Sequence, residues 1–189
     1  MRTTRSGESL LLLLDALDIL DARKIGYAVI GALAASLHGA VRASMDADVV
    51  LCADMREARG LEEDFRAAGF QTQLTRGDVD DPIPGMLRIA DAYANQVDLL
   101  FGLRGLEPQA FSRTVEVFFQ GRTVRFIGRE DFVAMKAFAG GPLDLRDAAR
   151  AISAAGPSLD VRLVRRLAKQ YGQKASEAVD DLLASGSEP

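Results

Sequence analysis

The stretch Met45-Asp46-Ala47-Asp48-Val49-Val50-Leu51-Cys52 places two carboxylates inside a run that is otherwise apolar or small. Its length and its β-branched residues read as a strand over Met45 to Leu51. On an extended strand alternate side chains share a face, so Asp46 and Asp48 project together with about 7 Å between their Cα atoms. Like charges so placed repel, and burying them is costly unless they are protonated, hydrogen-bonded or bound to a cation. A divalent metal is the economical explanation. The other is an exposed face on an edge strand, where charge discourages aggregation. A third acid has a similar setting: Asp98 lies inside Gln96-Val97-Asp98-Leu99-Leu100-Phe101.

Composition narrows the chemistry. The chain has 189 residues, 48% of them hydrophobic, enough for one domain with a sizeable core. One Cys (Cys52) and one His (His38) exclude an internal disulfide, zinc sites built from Cys/His clusters and two-His zinc motifs. With 27 Asp and Glu against 23 Lys and Arg, the net charge is −4. A bound metal is therefore expected to be a hard cation on oxygen ligands, Mg²⁺ or Mn²⁺ before Zn²⁺. The acidity also argues against non-specific coating of nucleic acid. Near the amino terminus Leu10, Leu13, Leu14, Leu17 and Leu20 recur at helical spacing, interrupted by Asp15, Asp18 and Asp21. That is an amphipathic helix and not a secretory core. No stretch approaches the ~20 apolar residues of a membrane span, so no membrane partner and a cytoplasmic location are expected.

The expected class is α/β (α+β), a mixed sheet flanked by helices with a helical carboxy-terminal portion. After a helix over roughly residues 8–24, strands are expected at Tyr27 to Ile30, Met45 to Leu51, Phe70 to Leu74, Met86 to Ala90 and Gln96 to Phe101. Ala32 to Leu37 reads as a short helix of small residues, and Asp54 as the cap of a helix ending near Ala68. Arg76 to Gly85 reads as a loop. Thr114 to Phe119 and Arg122 to Ile127 flank Gln120-Gly121, a tight hairpin. Helices are expected over about 129–139, 143–154, 158–171 and 174–184. The division is thus 1–128 for the α/β domain and 129–189 for a helical portion packed on it.

Ile30-Gly31-Ala32-Leu33-Ala34, followed by His38-Gly39-Ala40-Val41-Arg42-Ala43-Ser44-Met45-Asp46-Ala47-Asp48, resembles the signature of the DNA polymerase β-like nucleotidyltransferase superfamily. More narrowly, it is similar to small bacterial nucleotidyltransferase-like proteins that include the AbiEii-type toxins. Lys136 followed by Asp144-Leu145-Arg146-Asp147 resembles their downstream helical segment, so the match spans roughly residues 25–150. The resemblance implies that Asp46 and Asp48 hold Mg²⁺ or Mn²⁺, that Asp98 completes the ligand set and activates the acceptor hydroxyl, and that Gly31 and Ala32 lie beneath the triphosphate. Arg42, Ser44, Lys136 and Asp144 become candidates for binding the nucleotide. The implied substrate is a nucleoside triphosphate, the acceptor an RNA end, a protein or a small molecule, and an antitoxin protein a further partner. The superfamily's turn is usually Gly-Gly or Gly-Ser, whereas here it is Gly31-Ala32. Two readings follow: a transferase, or a catalytically inactive nucleotide-binding or interaction module.

Other candidates have structural readings beside functional ones. His38 ends the small-residue helix, where a helix-ending hydrogen bond is expected. Cys52 reads as a small core residue. Arg162, Arg165, Arg166 and Lys169 form one stripe of a helix, either a solvated face or an RNA-phosphate contact.

Overall fold

A computed structural model describes residues 1–42 and 44–185. Its first elements are α1 (Ser9–Ala22), β1 (Gly26–Ile30), α2 (Gly31–Leu37), β2 (Asp46–Cys52), α3 (Ala58–Ala67), β3 (Gln71–Arg76), β4 (Gly85–Ala90) and β5 (Gln96–Phe101). There follow a 3-10 turn at Pro108–Ser112, β6 (Val115–Phe119), β7 (Arg122–Phe126), α4 (Arg129–Ala139), α5 (Pro142–Ala155), α6 (Val161–Tyr171) and α7 (Gln173–Ser185). These form two compact units, Met1–Gly31 with Ala43–Arg104, and Ala32–Arg42 with Gly105–Pro189. The all-helical stretch beginning at α4 falls wholly within the second. No helix among the described residues is long and apolar enough to cross a membrane.

In the first unit five strands are ordered β3-β4-β5-β2-β1; β2 and β5 run parallel, the other neighbours antiparallel. Strand alternation divides the side chains between two faces. Val29, Val49, Leu87, Ile89 and Leu99 are fully buried on one of them, where α1 packs on β1, β2 and β5 and α3 on β3 and β4. The leucine periodicity explains the fit, since Leu13, Leu17 and Leu20 of α1 and Leu61 and Phe65 of α3 are buried with them. The other face carries the charges. The turn joining β4 to β5 is fastened by Asp91, whose carboxylate accepts from the Tyr93 and Asn95 amides at 2.8 and 3.0 Å. Asn95 in turn donates to the Arg5 carbonyl and accepts from the Glu8 amide. Register between β4 and β5 is thereby held at the end nearest Asp46 and Gln96.

In the second unit β6 and β7 form the expected hairpin, with Gln120 and Gly121 both in the left-handed region (φ 49° and 79°). Two successive positive φ values suit the twist of a two-residue hairpin. α4 packs on α5, α6 and α7, and its face buries Phe132, Val133 and Met135.

Three local expectations are corrected. Asp54 does not cap α3: its carboxylate binds the Arg56 amide and guanidinium, and α3 begins only at Ala58. The carboxylate closes a local turn with Arg56 two residues on, and the chain enters the helix only after it. α6 begins at Val161, not 158, because the Asp160 side chain accepts from the Leu163 amide at 3.0 Å and sets the start. Cys52 is exposed rather than core, as the last residue of β2 opposite Gly26, beyond the buried span of the strand.

Candidate active site

Register explains how the sheet gathers its charges. Asp48 of β2 lies directly beside Asp98 of β5, and Asp98 directly beside Arg88 of β4. Gln73 of β3 ends that row. The row below it reads Asp46, Gln96, Ala90 and Gln71. Directly paired residues share a face, so the three carboxylates proposed from sequence stand on one side of the sheet, with about 4.8 Å between adjacent strands. Asp46 and Asp48 are half-buried, and Asp98 is 8% exposed.

Arg88, which the sequence reading did not single out, completes this group. Its Nε and one Nη donate to the two oxygens of Asp98, each at 2.8 Å, a fork-on-fork pair. The Asp98 hydrogen bond and charge, with the more distant Asp46 and Asp48, raise the Arg88 pKa above its ordinary value. A legible signal existed: Met86-Leu87-Arg88-Ile89-Ala90 sets one charge in an apolar strand, the pattern that marked Asp98.

Gly31 closes the first unit's contribution. It follows β1 with φ +63°, and a Cβ built there would collide with the Asp48 carboxylate. Glycine is thus required twice over, by backbone conformation and by the close approach of Asp48. Ser44 is exposed, and its hydroxyl donates to the Asp46 carbonyl at 3.0 Å, bracing the entry to β2. Ala32, the first α2 residue after Gly31, is buried.

Three nucleotide-binding candidates, Arg42, Lys136 and Asp144, belong to the second unit and are joined in one network through Asp147. The Lys136 ammonium is buried, 2.6 Å from Asp144 and 3.5 Å from Asp147. Arg42 Nε donates to Asp147 at 3.2 Å. Lys136 sits on α4 and the two acids on α5, so the network ties helix to helix. The lone His38 is buried; its Nε2–H donates to the Ile127 carbonyl at 2.8 Å and its ring lies against Phe132. Desolvation, the leading cause, lowers its pKa below 6.5. This is a structural histidine, bonded across to β7's end rather than to its own helix. On the basic stripe, Arg166 forks onto Glu107 with both contacts at 2.8 Å, and Arg165 pairs with Asp180 at 2.8 Å. Glu107, held by Arg166, Gln170 and Arg113, is pushed down to about 2. Two of the four basic residues are therefore internal staples.

Whether these residues suit a divalent cation is decided by the donor set. Among the described residues no group of three or more His, Cys, Asp or Glu is arranged to hold a metal by itself. Both Asp98 oxygens face a guanidinium. Mg²⁺, however, is usually held by one or two carboxylates with the remaining positions left to water and substrate phosphates. Asp46 and Asp48, hard oxygen donors on one half-exposed face, fit that pattern; a closed three-acid cage does not.

No protein-family model matches this sequence, and no curated protein matches it by sequence. Solved structures match by fold. The antibiotic-resistance factor ANT(2'')-Ia in solution superposes with TM-score 0.59 at 14% identity, over 94% of this chain and 97% of its own. The crystal structure of ANT(2'')-Ia with adenylyl-2''-tobramycin gives 0.60 at 16% identity, over 87% and 99%. A nucleotidyltransferase-like protein of Paracoccidioides brasiliensis gives 0.56 at 17%, over 97% and 91%. The architecture is therefore the mixed-sheet nucleotidyltransferase fold.

Proposed function

We propose that this chain is an Mg²⁺- or Mn²⁺-dependent nucleotidyltransferase that moves a nucleotidyl group from a nucleoside triphosphate to a hydroxyl acceptor. The observation carrying the reading is the register: Asp48 and Asp98 side by side, Asp46 two residues away, all on one face of this fold. Asp46 and Asp48 hold the metal, and Gly31 leaves room for Asp48 where a side chain would displace it. When bound, the cation neutralises the triphosphate and steadies the leaving pyrophosphate. Asp98 accepts the proton of the acceptor hydroxyl. A carboxylate offers about four lone-pair directions, so the Arg88 fork leaves two for that hydroxyl. The acceptor oxygen then bonds to the α-phosphorus, the bond from that phosphorus to the bridging oxygen breaks, and its electron pair departs with pyrophosphate. The resemblance adds Gly31 and Ser44 to the nucleotide's contacts; the bonds Lys136 makes to Asp144 fit a positioning role between α4 and α5.

ANT(2'')-Ia, solved with adenylyl-2''-tobramycin, supports a small molecule as the acceptor here, ahead of an RNA end or a protein. Calorimetric titration of Mg²⁺ with ATP and the other nucleoside triphosphates into the wild type, Asp46→Asn and Asp48→Asn tests the assignment. Binding is expected for the wild type and at least tenfold weaker in both variants; equal binding by all three would remove the metal role.

A second reading is a catalytically silent nucleotide-binding or interaction module, for example the toxin-like half of a pair with an antitoxin protein. Ala32 in the turn and the double engagement of Asp98 by Arg88 favour it. Transfer of labelled nucleotide to any acceptor, abolished by Asp98→Ala, would eliminate it.

A further inference from the structure

Beside the carboxylate rows lies a groove of about 280 Å³, lined by Gln71, Thr72, Gln73, Arg88, Ala90 and Gln96. All but Thr72 stand on the charged face of the sheet, as their register with Asp46, Asp48 and Asp98 requires. Ala90 is the floor, flanked in its own row by Gln71 and Gln96, while Gln73 and Arg88 form the row alongside. Among the described residues the three glutamine amides have no side-chain hydrogen bond. Thr72 offers little to a ligand, because its hydroxyl is taken up by Glu62 and Arg66. Three free amides and one guanidinium therefore converge over a methyl group, in a volume just under the ~300–1,000 Å³ usual for ligand pockets.

From this placement we infer that the groove is the acceptor subsite, and that it takes a small neutral or anionic polyhydroxyl compound and not a polyamine. The inference rests on the transferase reading above. Position supports it: Gln96 is the direct neighbour of Asp46, and Arg88 binds Asp98, so a ligand over Ala90 has Asp98 diagonally across on the next strand and Asp46 two strands away, about 10 Å. Chemistry supplies the class. A primary amide donates and accepts at once, which matches vicinal hydroxyls, each also donor and acceptor. No lining residue is acidic, and the one charge is positive; Asp98, the register neighbour of Arg88, is already matched by it. A polycation entering here meets a guanidinium, whereas an anionic group gains the Arg88 donors that Asp98 leaves unused, since Nε and one Nη face Asp98 and the other Nη does not.

The test uses the whole chain with ¹⁵N-labelled glutamine side chains and three probes: myo-inositol, D-gluconate and 2-deoxystreptamine. The amide signals of Gln71, Gln73 and Gln96 are expected to shift with either polyol, gluconate saturating at lower concentration, and to stay still with 2-deoxystreptamine. Ala90→Leu, which fills the floor, should weaken gluconate binding at least tenfold; Gln71→Ala, on an exposed position of β3, provides the same readout if Ala90→Leu fails to fold. Shifts with 2-deoxystreptamine equal to those with the polyols, no shift with any probe, or unchanged binding in a folded variant would overturn the inference. MgATP calorimetry on the same samples keeps the two proposals apart. Nucleotide binding with silent amides sinks the acceptor subsite alone; responsive amides without nucleotide binding sink the transferase reading.

Discussion

In the first unit Asp46, Asp48 and Asp98 share a half-exposed sheet face with Arg88, which gives its hydrogen bonds to Asp98. In the second, Asp144 and Asp147 meet Lys136 and Arg42, two acids against two bases, with Asp147 and Lys136 buried. The same side-chain chemistry has opposite consequences in the two places. A buried set tolerates ionisation only when each charge is matched within the protein, which makes it structural and intolerant of change. A carboxylate-rich face open to solvent keeps its ions at modest cost and is free to take countercharge from outside, a metal or a substrate.

Removing one charge from each cluster exposes the difference. Lys136→Met leaves Asp147 and Asp144 without their ammonium and is expected to destabilise by about 3–5 kcal/mol, lowering Tm by about 10 °C for a chain of this size. Asp46→Asn, by contrast, should leave stability within about 0.5 kcal/mol. Thermal melts of the two proteins check both; similar shifts would mean that the clusters do the same work. Next in size is Gly31→Ala. A left-handed φ costs an L-residue about 1–2 kcal/mol, and the new methyl group must also push Asp48 aside. A loss of about 2 kcal/mol in urea unfolding, together with weaker Mg²⁺ binding, is expected. Loss of stability with unchanged metal binding would detach Asp48 from the metal.

Much of the fold was legible because its signals are local and periodic. The strand around Asp46 and Asp48, the Gln120-Gly121 hairpin and the leucine stripe of α1 were placed within one or two residues. So was the three-acid set, as a pattern of charges in apolar strands; that Asp48 and Asp98 would be direct neighbours was not, since pairing β2 with β5 spans 50 residues of chain. Arg88 carried the same local signal, one charge in an apolar strand, but its role as the partner of Asp98 one strand away needed the register. Asp54 and Cys52 failed differently: the guanidinium on Asp54 belongs to Arg56, two residues on, a local contact that residue types alone do not rank against a cap, and the exposure of Cys52 depends on where the sheet ends. Lys136 drew attention through the resemblance alone, and its burial against two acids became visible only in the packed helices.

His38 offers a pH probe of the buried unit. Its folded pKa lies below the ordinary 6.5, so the unfolded chain binds the proton more readily. Its contribution is therefore fully present above pH 6.5 and is lost as pH falls below it, at no more than about 1.4 kcal/mol per pH unit for one proton. Urea unfolding between pH 7 and 5 should show that slope, reduced in His38→Gln, which retains a donor for the Ile127 carbonyl. The single imidazole makes the matching NMR titration unambiguous, and an apparent pKa above 6.5 would refute the assignment.

The smallest change in stability is expected where the site itself would be altered most. Arg88 is 38% exposed in its side chain against 11% for Asp98, so the pair is half-open to solvent. Arg88→Gln, whose amide keeps a donor for the Asp98 carboxylate, should therefore cost about 1 kcal/mol. Removing the guanidinium nevertheless strips the face of a positive charge beside Asp98 and within the field of Asp46 and Asp48. Those acids then attract an external cation more strongly, so Mn²⁺ affinity, read by electron paramagnetic resonance without nucleotide, should rise several-fold while Tm scarcely moves. The variant cuts both ways for the comparison. A large loss of stability would make Arg88 and Asp98 a structural pair like Lys136 and Asp144. A fall in Mn²⁺ affinity would mean that Arg88 organises the carboxylates instead of competing with the metal for them.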